Sequence, residues 1–257
     1  MLGLETLDVA LAAALVGTGL VAGALNTLAG GGSLLLVPAL MLTGMTATFA
    51  NATSRVAVLA QCTASVIGYA RRGRLPPARE ARPIVPPIVA GAALGALLAA
   101  RMPDRVYEPL LLVTLGVMAL AMLVSPARFR PPEGAAPRSP TSVPAMLALF
   151  VAGIYGGVLQ AGAGLVLIGI FAGGLRYDLV RANALKALVM MIYIAGTVAV
   201  FAGSAKVVWS PALVLAAGAA VGGWGASQLA LSPRGSEITN HVVVLAAIGL
   251  AVTVALR

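Results

Sequence analysis

Asn26–Pro38, NTLAGGGSLLLVP, sets three consecutive glycines and a serine inside what is otherwise an unbroken apolar helix. Hydrocarbon cannot satisfy the backbone groups that such an interruption frees, so in a membrane it must be buried in protein or line a polar cavity. A second copy follows at Leu159–Phe171, LQAGAGLVLIGIF, and laying Gly30-Gly31-Gly32 on Gly162-Ala163-Gly164 fixes an offset of 132 positions, from 30 to 162. The same offset lays Ala50-Asn51-Ala52 on Ala182-Asn183-Ala184. Each half therefore has a glycine-rich break, an apolar piece too short to span comfortably, and a helix that opens with Ala-Asn-Ala. That is the pattern of a transporter built from two repeats.

Composition places these repeats in a bilayer. The 257 residues are 60% hydrophobic and only 10% charged, too little polar surface for a soluble globule of this size. A net charge of +9 would raise the question of nucleic acid in a soluble protein. Here most arginines fall between apolar runs, where they set membrane orientation and meet lipid headgroups, so the bilayer is the expected partner and nucleic acid is not. The lone Cys62 excludes an internal disulfide, and the single His241 leaves no metal-ligand cluster; neither a metal nor another cofactor is expected. The first apolar run begins with Glu5 and Asp8 in place of a basic segment and reads as a retained helix.

Apolar runs fall near residues 7–28, 33–44, 47–70, 83–100 and 107–124, and again near 143–161, 165–174, 181–202, 209–231 and 238–256. Most reach the roughly 20 residues that a bilayer needs, but the second run of each half does not. These two read as half-helices that form a hairpin with the helix before them. The fold expected is an all-α integral membrane protein of two repeats, each with about four full transmembrane helices and one broken or re-entrant half-helix. Residues 1–124 form the N-terminal repeat, 145–257 the C-terminal repeat, and the proline-rich stretch 125–144 a cytoplasmic linker. The basic loop RRGRLPPAREAR, with Arg71, Arg72, Arg74, Arg79 and Arg82, and the linker's Arg128, Arg130 and Arg138 belong on the cytoplasmic side. Five passages per half then put the N-terminus outside and invert the halves, with Arg176 and Arg181 inside and Lys206 on an outer loop. Treating the breaks as kinks in eight full spans would make the halves parallel instead.

At 100° per residue, Asn51, Ser54, Arg55, Gln61, Cys62 and Ser65 share one face of their helix. Asn183, Lys186, Tyr193 and Thr197 do the same in the second half. Arg55 and Lys186 are the two cations placed at depth, where an ionised side chain costs at least ~2.5 kcal/mol and is rarely kept without a partner or a task. No carboxylate matches them: Glu5, Asp8, Glu80, Asp104, Glu108, Glu133, Asp178 and Glu237 all lie near run ends or in loops. Cationic depth without a counter-ion suits an anion, and the helix N-termini that follow the breaks would add N–H groups and positive dipole ends.

The candidate substrate-binding residues are Gly30, Gly31, Gly32, Ser33, Asn51, Ser54, Arg55, Gln160, Gly162, Gly164, Asn183 and Lys186. Each has a plainer reading. The glycines could serve packing, the two cations could snorkel to an interface, and Asn51 and Asn183 could be caps or interhelical glue. Ser33 and Gln160 could satisfy opened backbone. Cys62 reads as a small core residue, and His241, near Arg234 and Glu237, as interfacial.

The early break followed by LLLVPALMLTG, the ANATS segment, the YARRGRL loop and the later GAG with RANALKAL resemble the sulfite exporter TauE/SafE family, also called the 4-toluene sulfonate uptake permease family. The likeness spans almost the whole chain. It implies a bacterial or archaeal inner-membrane carrier, working in either direction, for anions such as sulfite, sulfoacetate or aryl sulfonates. It supports only the positions that match: Gly30 to Ser33, Asn51 to Arg55, Gly162 to Gly164 and Asn183 to Lys186. One departure stands out, since the offset lays Lys186 on Ser54 and Arg55 on Ala187.

The reading that results is a secondary transporter for a small sulfur-containing or organic anion, through a pocket between the repeats. An anion channel or a non-transporting scaffold subunit is the alternative. An enzyme is not expected, because the chain lacks a buried carboxylate or an activated serine or cysteine pair. The coupling ion, proton or sodium, and the oligomeric state are left open.

Overall fold

The computed structural model describes residues 8–123 and 136–232. The last apolar run near 238–256, most of the linker, and Glu5, Arg128, Arg130, Glu133, Arg234, Glu237 and His241 lie outside the described residues. Ten helices are described: α1 (Val9–Ala29), α2 (Ser33–Leu42), α3 (Ala47–Arg71), α4 (Ala78–Ala81), α5 (Val85–Arg101), α6 (Asp104–Leu123), α7 (Val143–Val158), α8 (Ala163–Ile168), α9 (Leu179–Gly203) and α10 (Trp209–Ala230). α8 runs on into a π-helical turn, Gly169–Gly174.

The offset of 132 read from the glycines holds for whole elements. α3 and α9 are each 25 residues long, and their boundaries are displaced by that interval. The half-helices also correspond, Ser33–Leu42 with the stretch Ala163–Gly174. One expectation is corrected: the third helix of each half does not open with Ala-Asn-Ala. It begins three residues before that segment, at Ala47 and Leu179, after Thr46 and Asp178. The Asp178 carboxylate accepts from Arg181 N at 2.9 Å, a side-chain cap that satisfies one free N–H of the first turn. Asn51 and Asn183 therefore sit in the second turn, with their amides free for other helices.

α1, α9 and α10 are long and apolar enough to cross a membrane by length and composition. α3 is long enough too, but its buried face is polar. α5 and α7 are shorter, at 17 and 16 residues, and α7 stops inside the protein at the second break. Large apolar side chains cover the outside, among them Val113, Val117 and Leu120 of α6, Leu147 and Val151 of α7, and Leu213, Val221 and Trp224 of α10. Exposed apolar area on that scale fits a lipid-facing surface.

The halves exchange partners. α1 packs along α10, and α7 packs along α5, so the first helix of each half lies on a later helix of the other. Small residues make both seams. Gly19 and Gly23 sit on Leu215 and Ala219, and Gly218 and Gly222 on Val16 and Leu20. Gly91 and Gly95 sit on Phe150 and Ile154, and Gly153 and Gly157 on Ile88 and Ala92. A Cβ at any of these glycines would collide with backbone, so the close approach that holds the seams depends on its absence. Residue numbers rise together along both seams, which makes each pair parallel. α3 and α9 lie between the seams and touch each other, α3 also packing on α10 and α9 on α5.

One end of the bundle collects basic residues. Arg181 at the start of α9 forms an ion pair with Glu80 at 2.9 Å, and its guanidinium lies 4.1 Å from the Tyr177 ring centroid. Arg72 Nε donates to Gln228 Oε1 at 2.9 Å, and Arg138 N donates to Leu175 O at 2.9 Å. The loop after α3, the residues that precede α7 and the start of α9 thus share this end. At the opposite end Thr48 donates to Asp104, and Val208 N donates to Thr53 Oγ1 at 3.1 Å.

Candidate functional site

Both breaks turn the chain through the left-handed region at equivalent positions, with φ of 83° at Gly30 and 70° at Gly162. Gln160, two residues before Gly162, is left-handed as well at φ 60°. For a residue with a Cβ that conformation costs of order 1–3 kcal/mol and persists where its surroundings impose it. The two breaks then meet. Gly30 and Gly164 touch backbone to backbone, leaving no room for a Cβ on either. Ser33 Oγ donates to Gln160 O at 3.2 Å and accepts from Gly162 N at 3.0 Å, so one hydroxyl from the first half satisfies two backbone groups opened in the second.

Around this junction lie two polar clusters, each built from both halves. In the first, Arg55 of α3 reaches the carboxyl end of α7. Nη1 donates to Gly156 O at 3.0 Å and Thr197 Oγ1 at 3.1 Å, and Nη2 to Gly157 O at 2.7 Å and Val158 O at 3.2 Å. Gln160 Oε1 is 3.5 Å from Nη1, and the Phe201 ring centroid lies 4.7 Å from Cζ. Tyr107 from α6 donates to Val158 O at 2.8 Å. The Asn51 amide is best satisfied with its nitrogen on Leu159 O (2.5 Å) and its oxygen toward Arg55 Nη2 (3.2 Å). Ser54, by contrast, turns back to its own helix and donates to Asn51 O at 2.9 Å.

In the second cluster, Lys186 of α9 reaches the carboxyl end of α1. Nζ donates to Asn26 O at 2.6 Å, Thr27 O at 3.1 Å and Asn183 Oδ1 at 2.8 Å. Asn183 Nδ2 also reaches Leu28 O, at 3.4 Å. Behind the ammonium a closed network joins α1 to α3: Asn26 Nδ2 donates to Gln61 Oε1 (2.6 Å), and Gln61 Nε2 to Thr27 Oγ1 (2.8 Å) and Ser65 Oγ (3.1 Å).

The snorkelling reading does not hold, since Arg55 is 0% and Lys186 1% exposed. Each cation instead lies at the negative end of a helix dipole, where free carbonyls accept charge-assisted bonds. Among the described residues no carboxylate contacts either one. Satisfaction is nevertheless incomplete. Arg55 Nε, Gln160 Nε2 and the Tyr193 hydroxyl are buried donors without a partner, and Asn26 Oδ1 is a buried acceptor without one. Arg55, Gln160 and Tyr193 belong to the α7 side of the junction: Gln160 Oε1 faces Arg55, and the Tyr193 hydroxyl lies against Gly156, whose carbonyl Arg55 holds. Unpaired buried polar groups are rare enough that three donors around one break call for an explanation.

The structure thus gathers Gly30, Ser33, Gln160, Gly162 and Gly164 at the junction, Asn51 and Arg55 on its α7 side, and Asn183 and Lys186 on its α1 side. Gly31 and Gly32 contribute carbonyls that accept from Leu34 N and Leu35 N, both at 3.0 Å, in the first turn of α2. Sequence reasoning missed Asn26, Thr27, Tyr107 and Phe201. The pair Asn26-Thr27, polar and directly before the glycines, was the available signal; nothing marks Tyr107 or Phe201.

Residues 15–255 match the family model described as Sulfite exporter TauE/SafE. Over 235 residues the chain is 26% identical to the probable membrane transporter protein ORF9 of Sinorhizobium sp, covering 90% of this chain and 87% of that one. Over 230 residues it is 27% identical to the probable membrane transporter protein YfcA of Escherichia coli strain K12, covering 89% and 84%. No solved structure matches.

Proposed function

The chain belongs to the sulfite exporter TauE/SafE family of membrane transporters, and on that footing we propose that it is a secondary transporter for a small sulfur-containing or organic anion of the sulfite, sulfoacetate or sulfonate type. The observation that carries this reading is the set of three unpartnered buried donors, Arg55 Nε, Gln160 Nε2 and Tyr193 hydroxyl, beside a break that no described carboxylate reaches. A sulfo group brings several acceptor oxygens and a negative charge, which such a set satisfies; a cation would find donors where it needs acceptors.

The pocket opens where Gly30 now meets Gly164, with Ser33, Asn51 and the N–H groups of the breaks as further contacts. Movement of one glycine-packed pair, α1 with α10, against the other, α7 with α5, separates the two breaks and alternates access. The halves are inverted in this reading. α1 and α3 run parallel to α10, whereas α7 runs parallel to α5, which returns through the membrane after the basic loop. The basic end is cytoplasmic in a multi-pass inner-membrane protein.

Counterflow in proteoliposomes tests the proposal. Labelled sulfonate or sulfite should exchange faster when the same anion is present on the far side. Uptake that no trans substrate stimulates would identify a channel instead, and absence of flux for sulfite, sulfoacetate, aryl sulfonates and short carboxylates would end the anion assignment.

A further inference from the structure

Carboxyl ends of broken helices are where transporters of this general architecture hold a coupling sodium ion. Here both ends already hold a tethered cation from the opposite half, Arg55 on Gly156, Gly157 and Val158, and Lys186 on Asn26 and Thr27. The two cations differ in one property. A guanidinium keeps its charge throughout the range in which proteins survive, whereas a desolvated lysine can give up its proton. Only the α1 end carries a charge that can be removed and restored by moving nothing larger than a proton.

The surroundings of Lys186 fit an ammonium and not an amine. Three N–H donors meet three oxygens, Asn26 O, Thr27 O and Asn183 Oδ1. A neutral amine has two N–H groups and a lone pair, so deprotonation removes at least one of these bonds and turns the lone pair on a carbonyl oxygen. Two of the three oxygens belong to the end of α1, so discharge loosens the tie between α9 and the first break. No described carboxylate competes for the charge. From α3 the titratable groups are Cys62, whose Sγ is 3.5 Å from Gln61 Oε1, Arg55, which is committed to α7, and Tyr69 and Arg71 in the last turn of the helix. The described parts of α1 and α8 carry none, α7 carries only Tyr155 and α5 only Arg101 at its end, and α9 itself adds Arg181 and Tyr193.

We propose that Lys186 is the proton-binding group that couples this carrier to a proton gradient, its ammonium standing where a sodium-coupled carrier would place the ion. Protonated, Lys186 ties α9 to the end of α1; when its proton leaves Nζ for water on one side of the membrane, the tie is released, and a proton from the other side restores it. The transport consequence rests on the anion-carrier reading, but the protonation does not.

The chain has two lysines, Lys186 and Lys206, so protein with isotope-labelled lysine gives two side-chain NMR signals, and the buried one is the signal lost in Lys186→Arg. It should move reversibly between its ammonium and amine positions between about pH 5 and about pH 10, a range that covers the ordinary histidine value and stops short of the ordinary lysine value. In proteoliposomes 4-toluenesulfonate, which carries no proton of its own, should accumulate under an inward proton gradient without sodium, and Lys186→Arg should bring the accumulation ratio down to one. That ratio is an equilibrium quantity and does not depend on turnover rate. A Lys186 signal that stays ammonium over the whole range overturns the proposal, as does a sodium requirement or undiminished accumulation by Lys186→Arg. Should Lys186→Arg fail to fold or to exchange at all, Lys206→Arg assigns the signals and the wild-type titration decides. A titrating Lys186 in a protein that exchanges none of the anions would remove the anion reading and keep the proton site.

Discussion

Arg55 closes the carboxyl end of α7 while Lys186 closes the carboxyl end of α1, so each half supplies the cation that completes the other half's broken helix. The reciprocity lies in the contacts and not in the aligned positions. The 132-residue offset lays Arg55 on Ala187 and Lys186 on Ser54, yet long flexible side chains one helical step apart reach equivalent carbonyls. A buried charge that loses its partner costs several kcal/mol, and these two are compensated only while the halves stay together.

Arg55→Gln leaves the carbonyls of Gly156 and Gly157 without their side-chain donor, leaves Val158 O to Tyr107 alone, and removes the charge beside the proposed anion. Stability should fall by about 3 kcal/mol, the scale for breaking a buried charged contact, and anion affinity by at least ~1.5 kcal/mol. Arg55→Lys should recover part of each, because an ammonium cannot serve several carbonyls with a planar fork. Thermal unfolding and ligand-dependent thermal shift measure the two effects separately; wild-type anion binding by a folded Arg55→Gln protein would remove Arg55 from the site.

Tyr193→Phe separates binding from folding more sharply. Its hydroxyl is buried without a partner, so deleting it should leave stability unchanged or raise it by up to ~1 kcal/mol. Affinity for the transported anion should nevertheless drop, by about fivefold to tenfold for the loss of one hydrogen bond. A stabilised protein with unaltered affinity would show that the hydroxyl does not meet substrate.

Gly164→Ala places a methyl group against the backbone of Gly30. Backbone cannot yield as a side-chain end does, so the breaks must separate, and the closed arrangement should lose ~1–3 kcal/mol as expected for overpacking. Cysteines introduced near the junction should become more reactive to thiol reagents in Gly164→Ala than in wild type. Equal reactivity, with transport intact, would show that the Gly30 contact does not close the pathway.

Cysteines at Ala78 or Ala136, both on the basic end, should be protected from an impermeant thiol reagent in intact cells, and one at Ala205 should be labelled. The single native cysteine, Cys62, is buried and adds little background. Labelling at Ala136 with protection at Ala205 would reverse the orientation.

Much of this protein is written locally. Apolar composition, the two glycine breaks, the shortness of the half-helices that follow them and the depth of Arg55 and Lys186 follow from residue order, because hydropathy and helical periodicity are properties of short stretches. The equal interval between the breaks even carried the boundaries of α3 and α9, although the helices begin after Thr46 and Asp178 and not at the asparagines. What each polar face meets is a different kind of fact. A helical wheel puts Arg55 on a face with Asn51, but only packing brings that face to Gly156 and Gly157, about a hundred residues away along the chain. The contact of Gly30 with Gly164, the service of Ser33 to Gln160 and Gly162, and the recruitment of Tyr107 and Phe201 likewise depend on how two halves dock. Docking is decided by shape summed over the α1–α10 and α5–α7 seams, where glycines let backbones touch, and no single stretch of sequence contains that sum.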